Sequence, residues 1–513
     1  MRFPCLIITA LVCSAASSSA RVLRVNPKAT GSTHDGAAWN TAYLKVQDAV
    51  GASAAGDEIW VAAGAYPETV TIGSSVSLYG GFAGTETLRD LRKPASIESA
   101  FSGGIVLVTG ATSEARVDGF TFRNSAGVES TAGSLTVSGN VFVTGHVQQT
   151  GGSIALTGNA FGGQRTAGAA IVLQYATVTV ADNTIRQRDL AAAVSPPQQT
   201  AEIALGALYI AHSSGSVTGN IIAENSLDGG SGAVNSFGGG AGLCAISSTL
   251  YVAQNVIALN RAALTGSTAS NPEGGGLRFR GGTLILANNL IAGNELSIAG
   301  PKGTAYGAGA VIRDATAYVV NNTVVDNIVS SSGAASPASR GGGLYVVTPP
   351  SSPAAYTLQN NIVAFNPSGV DWSGAQPSFG RNCVWGNGAN FPAGAANVDP
   401  TGMQVDPVFS NRPAADYHLA VLSPCVDAGA DAAVRGSADL DGRFRILGAH
   451  VDMGAYETPV SAGRTVADAA RALRLAAGLT AATPFDIDRL NATGADQTVD
   501  LRDAVRALRL ATH

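Results

Sequence analysis

Between Asn140 and Asn361 the chain repeats one pattern: a short strand-like run of alternating apolar and polar residues, one or two Asn, a second short apolar run, then another Asn. It reads LTVSGNVF, IALTGNAF, VTVADNTI, GSVTGNII, LYVAQNVI, LILANNLI, AYVVNNTV and YTLQNNIV. The aligned residues are Asn140, Asn159, Asn183, Asn220, Asn255, Asn289, Asn322 and Asn361, at steps of 19, 24, 37, 35, 34, 33 and 39. Self-similarity at such a period is the mark of a solenoid. Within each repeat, Val, Ile and Leu recur at the two-residue spacing of a strand, which sends them to one dry face. Asn tolerates the left-handed backbone of tight corners, and its amide can bond the amide of the next coil, so the eight Asn are predicted to form a ladder.

A second column keeps the same register. ALYIA, GLCAI, GLRFR, GAVIR and GLYVV begin at residues 207, 242, 276, 309 and 343. With the strands on either side of each Asn, this makes about three strands per coil, and the predicted fold is all-β, a right-handed parallel β-helix. The early coils need only 19 to 24 residues, so the surplus at 224–239, 260–273, 294–306 and 327–340 is expected to form four loops on one side of the rod. These stretches are rich in Ser, Ala, Gly and Thr, with Phe237 and Tyr306 as rare aromatics, and read as a solvated, linker-like fringe. Upstream, Ala42 to Val50 has helical spacing and is expected to cover the open edge of the first coil.

Composition narrows the class. Only 13% of the 513 residues are charged while 63 are Gly, which suits tight turns between buried strands and excludes a disordered chain. A net charge of −5 gives no footprint for nucleic acid. Residues 1–20 read as a secretory signal, with Arg2, the apolar run Leu6 to Val12, and Ser18 and Ala20 before the cleavage point, which predicts a secreted, extracellular or cell-surface protein. No later stretch is long and apolar enough to form a transmembrane segment. Of the five Cys, Cys244, Cys383 and Cys425 remain after cleavage. Cys383 and Cys425 can bridge in an oxidising compartment, leaving Cys244 as a lone thiol.

The segments GDEIWVAAGAY and LYGGFAGTETLRDLR resemble the entry of secreted β-helix proteins of the pectin-lyase-like superfamily. Residues 405–457 carry VDPVF, DYHL, SPCVDAG, DLDGRFR and VDMGAYE in that order and resemble the choice-of-anchor Q domain. That resemblance implies a β-helix and export, and transfers no catalytic residue. Two near copies, ADAARALRLAAG at 467–478 and RDAVRALRLATH at 502–513, resemble a dockerin, which implies a calcium-binding module docking on a cohesin-like partner. In that pattern Asp496, Asp500 and Asp503 fall at calcium-ligand positions, whereas the first repeat offers only Thr465 and Ser461. A metal-free helical pair that docks on the rod or on a cell-wall component stays open beside it. The expected organisation is a signal at 1–20, the β-helix at 21–404, its closing region at 405–458 and the dockerin-like pair at 459–513.

The glycine-led strand has two faces, and the outward one is where chemistry would stand. Tyr209, Cys244, Arg278, Val311 and Tyr345 point outward, then Ala211, Ile246, Arg280, Arg313 and Val347. Neither column holds the carboxylate pair that glycoside hydrolysis uses. Arg280 and Arg313 fall on adjacent strands, about 4.8 Å apart, and need compensation. One candidate is an anionic polysaccharide gripped by Arg278, Arg280 and Arg313 with Tyr209 and Tyr345 beside them; the other is local acids, Glu273 and Asp314. The acids of the closing region, Asp406, Asp416, Asp427, Asp439, Asp441 and Asp452, read as turn residues or, alternatively, as calcium ligands. Two functions follow: a secreted binding or adhesion rod attached through its C-terminal module, or a polysaccharide lyase or glycoside hydrolase.

Overall fold

A computed structural model describes residues 20–110, 114–298, 301–331, 338–348, 356–395 and 398–459. The chain winds as a parallel β-helix. Leu208–Ala211 and Ser214–Thr218 lie in one long sheet, Ile221–Ala223 in a second, and Ser226–Gly239 in a third, before Leu243 starts the next coil. Among the described residues the long sheet has 21 strands, the second 12 and the third 9. Successive coils pair in parallel and in step, with Leu208 beside Leu243, Leu243 beside Leu277, Leu277 beside Ala310 and Ala310 beside Leu344. These inward residues are buried, and the core continues through Ile210, Ala245, Phe279, Ile312 and Val346. In the N-terminal half the core carries a file of stacked rings, with Phe122, Phe142 and Phe161 at centroid spacings of 4.6 and 4.4 Å.

The predicted Asn stand in one file. Asn220 donates its backbone N–H and its Nδ2 to Asn255 Oδ1 at 2.9 Å each, and Asn255 does the same to Asn289 Oδ1 at 3.0 and 2.9 Å. The file runs from Asn140 to Asn361, continues to Asn382 and ends on Asp399, whose Oδ2 accepts both donors of Asn382. A last rung has nothing further to donate to, and a carboxylate only accepts. A parallel file of Asn225, Asn260, Asn294, Asn327, Asn366 and Asn387 holds the next corner. The backbone reason expected for the ladder needs correcting. The left-handed residue is the one before each ladder Asn: Asp182, Gln254, Asn288, Asn321 and Asn360 have φ of 57, 57, 58, 55 and 56°. The ladder Asn turns its amide inward, and its predecessor takes the bend and faces outward.

The expected loop fringe is the larger correction. Residues 226–229, 261–264, 295–298 and 328–331 run outward as paired parallel strands, and 235–239, 269–273, 304–306 and 338–340 form the returning strands. Leu190, Ile203, Leu227, Ala262, Leu264, Leu296 and Ile298 bury a second core between them. Small residues let the two legs close together, so a composition that suits a linker here packs a narrow lobe. The helix also starts later than expected, spanning Val46–Ala52, because Glu68 accepts the N–H groups of Val46 and Gln47 and so fixes its first turn there. Among the described residues no helix is long and apolar enough to cross a membrane.

The closing region lies along the opposite side. Its Tyr417, Leu419, Cys425, Met453, Ala455 and Tyr456 cover the outward residues Leu290, Val325, Ile362 and Ala364 of the second sheet. Cys383 and Cys425 are buried free thiols in this cluster.

Candidate functional site

The returning leg of the third sheet packs over the outward face of the glycine-led strand, which decides the fate of the arginines. Arg280 and Arg313 are register partners. Arg278 is buried and bonds Glu273 Oε2 at 3.2 Å and Glu202 Oε1 at 2.5 Å. Arg280 bonds Glu202 Oε2 at 2.5 Å and sits 3.7 Å from Asp314, while Arg313 pairs with the other oxygen of Glu273. Three arginines thus meet three carboxylates. Burial alone would raise the Glu202 carboxyl, but its hydrogen bonds to Arg280 and Arg278 hold it below the usual range. The column does point away from the rod's core, yet Cys244, Arg278, Val311 and Tyr345 are buried there and Tyr209 is half-buried. The Cys244 thiol is pushed up to about 11 by burial.

Glu273 and Asp314 are the local acids expected from their nearness in sequence, whereas Glu202 lies 76 residues before Arg278 on the returning leg of an earlier coil. Nothing in one sequence marks that pairing; it follows only once the surplus is read as a strand. The tyrosines are placed the same way. Tyr345 packs on Tyr306 at 4.9 Å between centroids, beneath Arg340, which is held by Asp371 at 2.8 Å. Tyr209 is half-buried, and burial raises its hydroxyl.

A second arrangement, absent from the sequence reading, lies where the closing region meets the outward corner file. Gln254 Nε2 donates to Asp439 O at 2.8 Å, Asn288 Nδ2 to Arg435 O at 2.9 Å, Asn321 Nδ2 to Asp452 O at 2.9 Å and Asn360 Nδ2 to Ala430 O at 3.1 Å. The same file continues to Gly219 and Asp182, beyond the closing region's contacts. There a cleft of about 500 Å³ opens, floored by Asp182, Thr218, Gly219 and Ile221 and walled by Gln254, Leu440, Asp441, Gly442 and Tyr456. Its far wall is braced: His418 bridges Asp416 at 2.5 Å and Asp441 at 2.9 Å and packs against Tyr456 at a tilt of 39° with centroids 4.0 Å apart, and Arg443 holds Asp441 at 2.8 Å.

The closing acids act as acceptors for backbone N–H groups. Asp439 takes those of Asp441, Arg443 and Glu457, and Asp452 those of Asp427 and Thr458. Asp406 accepts from Val408 N and Asp427 from His450 N. The proposed calcium positions Asp496, Asp500 and Asp503, the rest of the dockerin-like pair and the signal lie outside the described residues.

No protein-family model matches the chain, and no curated protein matches it. Among solved structures, the chain is similar to pectate lyase Pel9A at 13% identity, covering 86% of this chain and 97% of that one, with a TM-score of 0.37.

Proposed function

We propose that this is a secreted or cell-surface β-helix protein that binds a surface polymer, with residues 459–513 as the attachment to a cohesin-like or cell-wall partner. The observation that carries the reading is the third sheet. It lies over the face of the rod where the arginines stand, and Glu202, Glu273 and Asp314 neutralise them. An anionic glycan is therefore not what balances Arg278, and the layer supports a rod built to persist and present surface. The decisive experiment incubates the full chain with cell-wall fractions and with uronate-rich and neutral polysaccharides. Retention without release of reducing ends or unsaturated uronate is the expected result; release of either would replace binding with catalysis.

The second reading, glycoside hydrolysis, draws on one feature, the carboxylates of Asp182 and Asp441 on the floor and wall of one cleft. Reducing-end release abolished by Asp182→Asn would establish it.

A further inference from the structure

From the outward corner file, we infer that the cleft between Asp182 and Tyr456 is a binding subsite for an uncharged saccharide unit; this rests on the polymer-binding reading above.

The file explains why the cleft exists. From Gln254 to Asn360 each outward amide is used to hold the closing region. One coil earlier the position is Gly219, with φ 66°, and a Cβ there would fall 2.3 Å from Asp182 Oδ1. The absent Cβ thus leaves room for the Asp182 carboxylate to lie against the floor. Asp182 makes no side-chain hydrogen bond or ion pair among the described residues, unlike the amides that follow it in the file. On the opposite wall Asp441 is held by Arg443 and by His418, whose other ring nitrogen meets Asp416.

The lining chooses the ligand. Asp182, Asp441, Gln254 Oε1 and Thr218 are acceptors for hydroxyl donors, while Ile221, Val256, Leu440 and the Tyr456 ring offer an apolar side for the C–H face of a pyranose. The volume lies within the range of small-ligand sites, about 300–1,000 Å³. The Asp182 carboxylate, which no cation neutralises among the described residues, disfavours a uronate, and this separates the subsite from the arginine column on the other face.

The test measures binding of neutral and uronic oligosaccharides to the full chain by calorimetry, beside its retention on wall fractions. Asp182→Asn keeps a residue suited to the left-handed corner and removes the charge; it is expected to weaken neutral saccharides about tenfold or more, the loss of one charge-assisted hydrogen bond. Gly219→Asn, the residue type found at the Asn288, Asn321 and Asn360 positions of the file, is expected to fill the floor and abolish binding. Circular dichroism of both variants reports the fold. Neutral saccharides bound equally by wild type and both variants would overturn the subsite and leave the proposed function standing. Wall retention without any saccharide binding would do the same. Loss of both retention and saccharide binding in the wild type would overturn both.

Discussion

Asn255 shows how much one side chain carries in this fold. Its Nδ2 reaches Val217 O, Ala253 O and Asn289 Oδ1, and its Oδ1 accepts two donors from Asn220, all buried. Asn255→Ala leaves these groups unpaired and is expected to cost about 1–3 kcal/mol in urea unfolding; a change near zero would mean that the file does not hold the corner. Glu273 is the comparable residue on the other face, since it is buried and meets both Arg278 and Arg313. Glu273→Ala strands a buried guanidinium that retains only Glu202 and is expected to cost about 3 kcal/mol by the same measurement. The ladder positions were legible because identical residues recur at a coil's spacing. Glu202 was not, because its partner depends on which strand of an earlier coil lies above it.

Among the elements, the third sheet and the closing region each cover one outward face of the rod. Leu264 is buried in the core of the third sheet, so Leu264→Ala is expected to lower stability by about 2–4 kcal/mol. A solvated fringe would show no loss. In the closing region Arg445 and Glu457 pair at 3.0 Å in a buried setting, where burial outweighs the attraction and raises the Glu457 carboxyl to about 8; burial likewise raises Asp452 to about 6. Carboxyls raised on folding hold protons more tightly in the folded chain. Their stabilisation is full below the ordinary values of 4.5 and 3.8 and is lost as pH rises through about 8 and about 6. His418 acts with the same sign: burial disfavours its charge, but the bonds to Asp416 and Asp441 prevail and raise it. Amide protection factors in residues 405–458, which remove the intrinsic slowing of exchange at lower pH, are therefore expected to rise on going from pH 8 to pH 5; lower protection at pH 5 would contradict this assignment. The sequence showed the closing region as a run of Asp, Gly and Arg but not that its acids hold backbone N–H groups far apart in the chain.

For the whole molecule, the rod extends by repetition, so each coil rests mainly on its neighbours and the ends and faces need cover. The closing region covers Leu290, Val325, Ile362 and Ala364. Deleting residues 405–459 is expected to lower the melting temperature and cause aggregation, read by light scattering during a thermal ramp; a soluble rod with unchanged melting would show that this cover is dispensable.

The sequence by itself determined the winding: the strand alternation, the Asn spacing and the glycine-led column follow from local periodicity, and periodicity is written along the chain. Tertiary structure alone decided what covers the winding. Whether Ser- and Ala-rich surplus is fringe or sheet, which acid meets Arg278, and where the outward file stops gripping the closing region to leave the cleft all depend on residues tens to hundreds of positions apart meeting across coils. Such meetings are set by packing and register in three dimensions, and no periodic signal records them.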